Sequence, residues 1–256
     1  MITSTSNPKI KLVRALAKKR TRYEKKQFVI EGVRLIEDAV SAGIVPALVL
    51  YSSRVWENAR GRALIGRLQN NAREISEASD AIMRALTSTE TPQGILAVVP
   101  LAQIPAPTPA KFILILDAMR DPGNLGAMLR SARAAGVDLV LLAPETVDAY
   151  NEKAVRAAMG AHFVLPIYAM SWEKIEAQTK NFSRRYLADA GGELDYTRAD
   201  WSKPLALIIG GEAEGARDAA KKIATARVKI PMRGNAESLN AAMAATLLLF
   251  EAARHA

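Results

Sequence analysis

The sequence contains no cysteine and only two histidines, His162 and His255. The missing cysteines exclude a disulfide framework, a thiolate metal site and a cysteine nucleophile. Two histidines are too few to favour a histidine-built metal centre or a Ser-His-Asp triad. No apolar run approaches the ~18 residues that a membrane-spanning helix needs, so we do not expect an integral membrane protein. Any chemistry must therefore use other groups.

The positive charge of the chain is concentrated at its start. Over all 256 residues, 35 Lys and Arg outnumber 26 Asp and Glu, which gives a net charge of +9. Residues 1–26 contain nine basic residues and one acid, Glu24, so nine minus one places +8 there and leaves +1 on the other 230 residues. Half of the residues are apolar, which is ordinary for a folded protein of one or two domains.

This basic arm has the pattern of a helix. Asn7 and Pro8 are typical of a helix N-cap and a first helical position, and Ile10, Val13 and Leu16 follow with helical spacing. A basic amphipathic arm binds a polyanion, binds a membrane surface, or is a solvated face without a partner. Its first 23 residues lack acids, as a mitochondrial presequence does, but the arm runs straight into folded-looking sequence, so we expect a cytoplasmic protein.

A cluster of prolines divides the rest of the chain. Pro100, Pro105, Pro107 and Pro109 favour an extended linker over residues 100–110, because proline lacks a backbone donor. We therefore predict two α/β domains, residues 1–104 and 111–256. Before the linker, the patterns predict strands over 28–30, 47–51 and 94–99 and helices over 31–42, 64–68 and 82–86. After it, they predict six strands of a parallel sheet, over 112–116, 139–142, 163–167, 185–188, 205–209 and 227–230, and helices over 125–135, 151–158, 172–180, 216–224 and 239–253.

Three loops at predicted strand ends carry polar residues, at the edge where open α/β sheets bind ligands. In the first loop, Asp121, Pro122 and Gly123 turn the chain, and Asn124 is placed to cap the next helix, which carries Arg130. The pattern fits a plain cap and a surface charge as well as it fits a site.

The second loop contains Gly210, Gly211, Glu212 and Glu214. Glycines let a ligand approach the backbone closely, whereas the two carboxylates would repel a phosphate. If the loop binds a ligand rather than forming a plain tight turn, that ligand is cationic or rich in hydroxyl groups. No G-x-G-x-x-G fingerprint follows the first strand of the domain, which argues against a Rossmann dinucleotide site.

The third loop precedes a helix that is apolar almost all round. Such a helix is buried, either in the core or against another subunit. Asn235 or Ser238 could simply cap this helix, and the polar residues Ser238 and Asn240 at its start are either caps or site groups.

Together the three loops resemble the SpoU-type RNA ribose 2′-O-methyltransferases of the SPOUT superfamily. The matching stretches are DPGNLGAMLRSARAAG, LALIIGGEAEGA and VKIPMRGNAESLNAAMAATLLLFE, with AMGAHFVLPI between the first two. Near the start, ITSTSNPKIKLVRALAKKR, FVIEGVRLIEDAV and TSTETPQGILAVV resemble the family's substrate-binding domain. The resemblance therefore covers essentially the whole chain.

The resemblance implies a small ribosomal-protein-like α/β RNA-binding domain followed by an α/β methyltransferase domain with a deep trefoil knot. It also implies a homodimer with its active site at the subunit interface, S-adenosylmethionine as the methyl donor, and no metal. The cofactor-binding residues that it implies are Gly210, Gly211, Ile230, Met232 and Leu239.

The polar active-site positions of the family fall on Asn124, Arg130, Glu212, Ser238 and Asn240. A guanidinium stays protonated and is a poor base, so we expect Arg130 to bind the adjoining phosphate and to stabilise the developing alkoxide. Asn124 would orient Arg130 or the ribose. Glu212 would orient polar groups or take up the proton through water, and Ser238 and Asn240 would fix the loop.

We expect the substrate to be large-subunit rRNA, because small tRNA enzymes of this family often lack a separate N-terminal domain. The alternatives are a tRNA ribose methyltransferase, a catalytically silent RNA-binding factor for ribosome assembly, and a nucleotide-binding α/β enzyme unrelated to RNA. The basic residues expected to contact RNA phosphates are Lys9, Lys11, Arg14, Lys18, Lys19, Arg20 and Arg22.

Overall fold

The chain folds as two compact units. The first comprises Met1–Ala102 and Tyr150–Phe163, and the second comprises Gln103–Ala149 and Val164–Ala256. The structure, a computed structural model, describes residues 1–87, 89, 91–101, 103–212, 215–234 and 238–255. Glu214 and Asn235, which the sequence analysis considered, lie outside the described residues.

Strands and helices alternate along most of the chain. The strands are β1 (Gln27–Glu31), β2 (Leu48–Tyr51), β3 (Ile75–Glu77), β4 (Ile95–Pro100), β5 (Phe112–Leu116), β6 (Leu139–Leu142), β7 (Ile167–Ala169), β8 (Arg184–Ala188), β9 (Leu194–Asp195), β10 (Leu205–Ile209) and β11 (Ala226–Lys229). The helices are α1 (Pro8–Ala15), α2 (Lys19–Lys25), α3 (Val33–Ser41), α4 (Ala59–Asn71), α5 (Asp80–Leu86), α6 (Pro122–Ala134), α7 (Glu152–Ala158), α8 (Trp172–Thr179), α9 (Asp218–Ile223) and α10 (Ala241–Arg254).

The first unit is built on a four-stranded sheet in the order β1-β4-β2-β3. Strand β4 is antiparallel to both of its neighbours, while β2 and β3 are parallel. Apolar residues of α1 and α5, such as Ile10 and Ile82, pack in one buried cluster, and those of α3 and α4, such as Ile36 and Leu64, pack in another. Because side chains alternate along a strand, the sheet contributes one set of residues to each cluster.

Residues 150–163, which the sequence analysis placed in the second domain, pack with the first unit. Val155 and Phe163 are buried in the same cluster as Phe28, and the ring of Tyr150 lies 5.0 Å from that of Phe28. The periodicity of α7 indicates only that one of its faces is apolar, and it carries no information on which core buries that face.

The N-terminal arm forms two short helices. The Asn7 side chain accepts a hydrogen bond from the Lys9 amide at 2.9 Å, which confirms the predicted cap of α1. Arg22 on α2 is only 4% exposed, and its Nη1 donates to the carbonyls of Leu16 and Ala17, each at 2.8 Å. The expectation that Arg22 contacts RNA is therefore corrected, because its guanidinium holds the turn between α1 and α2.

The second unit is built on a seven-stranded sheet in the order β7-β6-β5-β10-β8-β11-β9, in which every pair is parallel. Residues of α8 and α9, such as Ile175 and Ile223, pack in a cluster with alternate side chains of the central strands. Helices α6 and α10 pack against each other, and α10 also contacts β10. No helix of the described residues is long and apolar enough to cross a membrane.

Two details of the sheets differ from the predictions. The strand predicted over 163–167 begins only at Ile167, since Pro166 has no amide hydrogen for the ladder and residues 161–163 form a 3₁₀ turn. Strands β3 and β9 are missing from the predictions, because runs of three and two residues are too short to show an alternating pattern.

Substitution of Arg22 tests its role in the arm. We expect Arg22→Ala to lower the free energy of unfolding by about 2 kcal/mol, because two carbonyls and the turn lose a charged donor. Urea denaturation followed by circular dichroism would measure the change. Arg20→Ala, which removes an exposed ion pair with Glu24, serves as the control and should cost no more than about 0.5 kcal/mol. Equal losses for the two variants would contradict the structural role of Arg22.

Candidate active site

A cavity of about 610 Å³ opens at the carboxyl ends of β8, β10 and β11. The five residues for which the resemblance implies cofactor contacts all line it, and so do Glu212, Ser238 and Asn240. Parallel pairing brings these residues together, since the strands of such a sheet end at one edge.

The glycines of the loop after β10 are required by close packing. A Cβ atom on Gly210 would lie 2.4 Å from the Ala216 amide nitrogen, and one on Gly211 would lie 2.8 Å from the Ala118 carbonyl oxygen. The Gly215 amide donates to the Gly211 carbonyl at 3.1 Å, so the loop folds back on itself. The backbone of this loop therefore forms one wall of the cavity without side chains to obstruct it.

The cavity wall combines carboxylates with apolar side chains. Among the described residues of the wall, Asp189 and Glu212 are acidic and Lys221 is basic, while Met232, Leu239 and Leu248 contribute apolar surface. This lining suits a ligand with a positive group, hydroxyl groups and an apolar part. Asp189 was missed by the sequence analysis, although its place directly after a predicted strand was a signal that could have found it.

Three of the predicted polar residues form a chain of hydrogen bonds at the rim. Asn240 Nδ2 donates to Asn124 Oδ1 at 3.1 Å, and Asn124 Nδ2 donates to Glu212 Oε1 at 3.0 Å. The other oxygen, Glu212 Oε2, accepts from the Arg120 amide at 3.4 Å. Each side chain thus holds the next in one orientation, although Asn124 and Asn240 are 116 positions apart.

One of the two helix caps in this region differs from the prediction. Asp121, not Asn124, caps α6: its Oδ1 accepts from the Asn124 amide at 2.7 Å, and Pro122 takes the first helical position. The Asn124 side chain is therefore available for the network at the rim. Of the residues expected as caps or site groups at the start of α10, Asn240 is the cap: its Oδ1 accepts from the Ala242 amide, while its Nδ2 donates to Asn124. Asn240 thus both caps α10 and takes part in the network at the rim.

Comparison with known proteins assigns the family. Residues 111–250 match the model described as the SpoU rRNA Methylase family, and residues 7–97 match the one described as the MRM3-like substrate binding domain. The chain belongs to the SpoU rRNA methylase family.

Named relatives of this SpoU protein match it over almost its whole length. The 23S rRNA (guanosine(2553)-2'-O)-methyltransferase RlmP of Bacillus subtilis is 35% identical over 252 residues, which are 97% of each chain. An AdoMet-bound rRNA methyltransferase from Sinorhizobium meliloti, known from a crystal structure, is 31% identical in sequence to this chain. The two structures match with a TM-score of 0.87 over 99% of this chain and 97% of that one. The SpoU methyltransferase AviRb of Streptomyces viridochromogenes, in complex with AdoMet, is 29% identical, with a TM-score of 0.84 over 97% of each chain.

Arg130 stands apart from the other predicted site residues of this SpoU protein. It is exposed on α6 and is not among the described residues that line the cavity. The fold of one chain therefore brings together Asn124, Glu212 and Asn240 but leaves Arg130 outside.

Helix α10 is buried on one side only. Ala245, Leu248 and Leu249 are buried in the chain's own core. On the opposite side Met243, Leu247 and Phe250 are 64%, 45% and 45% exposed, at positions that share one face of the helix. A hydrogen bond of 2.7 Å between Thr246 and Ser131 joins α10 to α6, the helix of Arg130. The apolar pattern of α10 predicts burial in the core or against another subunit. The chain's own core buries one side of the helix, and the other side is exposed.

Asp117 follows β5 directly and lies next to the second loop. Its side chain has no solvent exposure. Its Oδ2 accepts a hydrogen bond of 2.8 Å from the Arg217 amide. Burial raises the pKa of Asp117 above its ordinary value of 3.8, while the Arg217 amide and guanidinium act in the opposite direction and the charge of Glu145 adds to the rise.

The raised pKa of Asp117 predicts how stability depends on pH. The folded protein binds this proton more tightly than the unfolded chain does, so the contribution of Asp117 is greatest in acid and is lost as the pH rises through the folded pKa. Relative to Asp117→Asn, the free energy of unfolding of the wild type should therefore fall as the pH rises above the ordinary aspartate pKa of 3.8 and through the higher folded pKa. Urea denaturation of both proteins across this range would measure the difference. A difference that does not change with pH would contradict the prediction.

Proposed function

We propose that this protein transfers a methyl group from S-adenosylmethionine to a ribose 2′-hydroxyl of large-subunit rRNA. The observation that carries the proposal is the cavity at the sheet edge, where the predicted cofactor residues and the Asn240–Asn124–Glu212 network meet. Membership of the SpoU family and the activities of relatives named as 23S rRNA 2'-O-methyltransferases support the reaction and the substrate class.

The residues of the cavity suit S-adenosylmethionine. Its volume lies within the ~300–1,000 Å³ of typical small-molecule sites. Met232, Leu239 and Leu248 would hold the adenine, and Asp189 and Glu212 would attract the positive and hydroxyl groups. When bound, this cofactor supplies a methyl carbon that is already activated by a positively charged sulfur.

The protein's own contribution is to position the ribose and to stabilise charge. Asn124, held between Asn240 and Glu212, would orient the ribose or Arg130. Arg130 would bind the neighbouring phosphate and stabilise the alkoxide as it develops, because a guanidinium keeps its charge. Glu212 would orient polar groups or take up the proton through water. Holding the reacting groups in line can lower the barrier by several kcal/mol, on the order of the ~7 kcal/mol known for oriented reactions.

A second copy of the chain would complete the site. The exposed stripe of Met243, Leu247 and Phe250 is an apolar face that a subunit interface would cover. It lies on the helix that is joined to α6, so a dimer through this face would also bring Arg130 of one subunit towards the cavity of the other. We therefore assign the homodimer interface to α10 and its surroundings.

The first unit would hold the RNA. Lys11, Arg14, Lys18 and Lys19 are exposed on the arm and remain the proposed phosphate contacts. Lys9 pairs with Glu74 at 2.6 Å, and Arg20 pairs with Glu24 at 2.6 Å, so each would contact RNA in competition with a carboxylate of the protein.

Two further features belong to the same proposal. The trefoil knot implied by the resemblance would lie in the second unit, where one cavity is lined by the loop after β10 and by Ile230, Met232, Ser238, Leu239 and Asn240. With rRNA as its substrate, the protein would act in the cytoplasm, where ribosomes are assembled.

Methyl transfer from labelled S-adenosylmethionine to isolated rRNA and tRNA tests the function. We expect label at a ribose 2′-oxygen of large-subunit rRNA, and mapping of the nucleotide would identify the site. Gly210→Ala should abolish transfer, because its Cβ would displace the Ala216 backbone, whereas Gly66→Ala, which meets nothing within 4 Å, should leave it intact. Label in tRNA alone would favour the tRNA enzyme, and binding of rRNA without transfer would favour the silent assembly factor.

Mixed dimers test whether Arg130 acts across the interface. One chain carries Arg130→Ala, the other carries Glu212→Gln, and two different affinity tags allow the mixed dimer to be purified. If Arg130 serves the partner's cavity, one of the two sites keeps both native residues, and we expect about half of the wild-type activity.

The reverse arrangement is the control. A dimer of one wild-type chain and one chain with both substitutions should then be inactive, because each of its sites lacks one residue. Activity in this second dimer and none in the first would show that Arg130 acts within its own chain, contrary to the proposal.

A further inference from the structure

We propose that Asp117 is a positioning residue that holds the cofactor loop, of which the structure describes residues 210–212 and 215–216, in its binding conformation. The inference rests on the proposed S-adenosylmethionine site and extends it to a residue that is not among the described residues lining the cavity. Three observations support it.

The first observation is that Asp117 binds both ends of the loop. Its backbone amide donates to the carbonyl of Ile209, just before the loop, at 2.9 Å. Its carboxylate accepts from the amide of Arg217, just after the loop, at 2.8 Å. One residue therefore sets the distance between the loop's two ends, although Asp117 and Arg217 are 100 positions apart.

The second observation is that the residue after Asp117 shapes the middle of the loop. Ala118 has a backbone φ of +51°, which is unfavourable for a residue with a Cβ. A Cβ atom on Gly211 would lie 2.8 Å from the Ala118 carbonyl oxygen. The strained turn at Ala118 thus places a backbone oxygen directly behind Gly211, which lines the cavity.

The third observation is that this arrangement lowers the stability of the folded protein. Asp117 has no solvent exposure, and its Oδ1 has no hydrogen-bond partner among the residues that the structure describes. A buried carboxyl with one unpaired oxygen is unfavourable for folding. Such a cost is expected where a side chain maintains a functional loop rather than the stability of the core.

An exposed ion pair near Asp117 allows the buried bond to be tested separately. The Arg217 guanidinium pairs with the carboxylate of Glu145, whose pKa it holds below the ordinary value. This pair uses the Arg217 side chain, whereas Asp117 binds the Arg217 backbone. Glu145→Gln therefore weakens the ion pair and leaves the bond to Asp117 in place.

Calorimetric titration of the full-length protein with S-adenosylmethionine tests the proposal. We expect Asp117→Ala to weaken binding about tenfold or more, the loss of one buried hydrogen bond to a charged group. Asp117→Asn retains an oxygen acceptor and should recover most of this loss, and Glu145→Gln should bind within about twofold of the wild type. In steady-state kinetics, Asp117→Ala should raise the KM for S-adenosylmethionine and leave the KM for RNA unchanged.

The opposite results would overturn the role of Asp117. These are wild-type affinity in Asp117→Ala, no recovery in Asp117→Asn, or equal changes in the two KM values. If Asp117→Ala does not fold, amide exchange of the wild type decides: the Arg217 amide must be protected from exchange, and free exchange refutes the proposal. A wild type that binds no S-adenosylmethionine would refute the proposed function itself, which is a separate result.

Discussion

The parallel pairing of β5, β10, β8 and β11 is the constraint on which the site depends. Residues Leu205–Ile209 pair in register with Phe112–Leu116 on one side and with Arg184–Ala188 on the other. These three strands therefore end at the same level, and the loops that follow them start side by side. Polar groups distant in sequence meet there without any of them entering the apolar interior of the sheet.

The strands and the loops have different physical roles. Strands β5, β6 and β10 are buried along their whole length, so their apolar side chains stabilise a rigid support. The loops are maintained by a few directed contacts: two glycines that permit close packing, one buried carboxylate and a short chain of amides and a carboxylate at the rim. This separation lets the loops carry groups that are costly to bury, because the core supplies the stability.

Two exposed features of the single chain lie around α10, an apolar helix face and the guanidinium of Arg130. Asn240 begins this helix and links it to the site, whereas Met243, Leu247 and Phe250 leave one of its faces exposed. Arg130 lies on the helix packed beside it. Association of two chains through this region would thus remove apolar surface from water and supply a cation to the site in one step.

Local signals were sufficient to predict much of this molecule. Continuous apolar runs predicted β5, β6 and β10 with their observed bounds, and Asn7 with Pro8 predicted the start of α1. The five residues for which motif resemblance predicts cofactor contacts lie together in the wall of one cavity, and their cofactor contacts stay a prediction. The strand predicted at 163–167 was wrong, because Pro166 delays its start, and β3 and β9 were too short to leave a periodic signal.

The alternation of strands and helices, the basic arm and the residue types of the three loops follow from local composition and spacing. Which groups meet depends on tertiary packing. It paired Asp117 with Arg217, buried Arg22 within the arm, packed residues 150–163 with the first unit and left Arg130 outside the cavity. Periodicity shows that a residue has a buried or a polar face, but its partner is set by strand order and by packing between segments far apart along the chain.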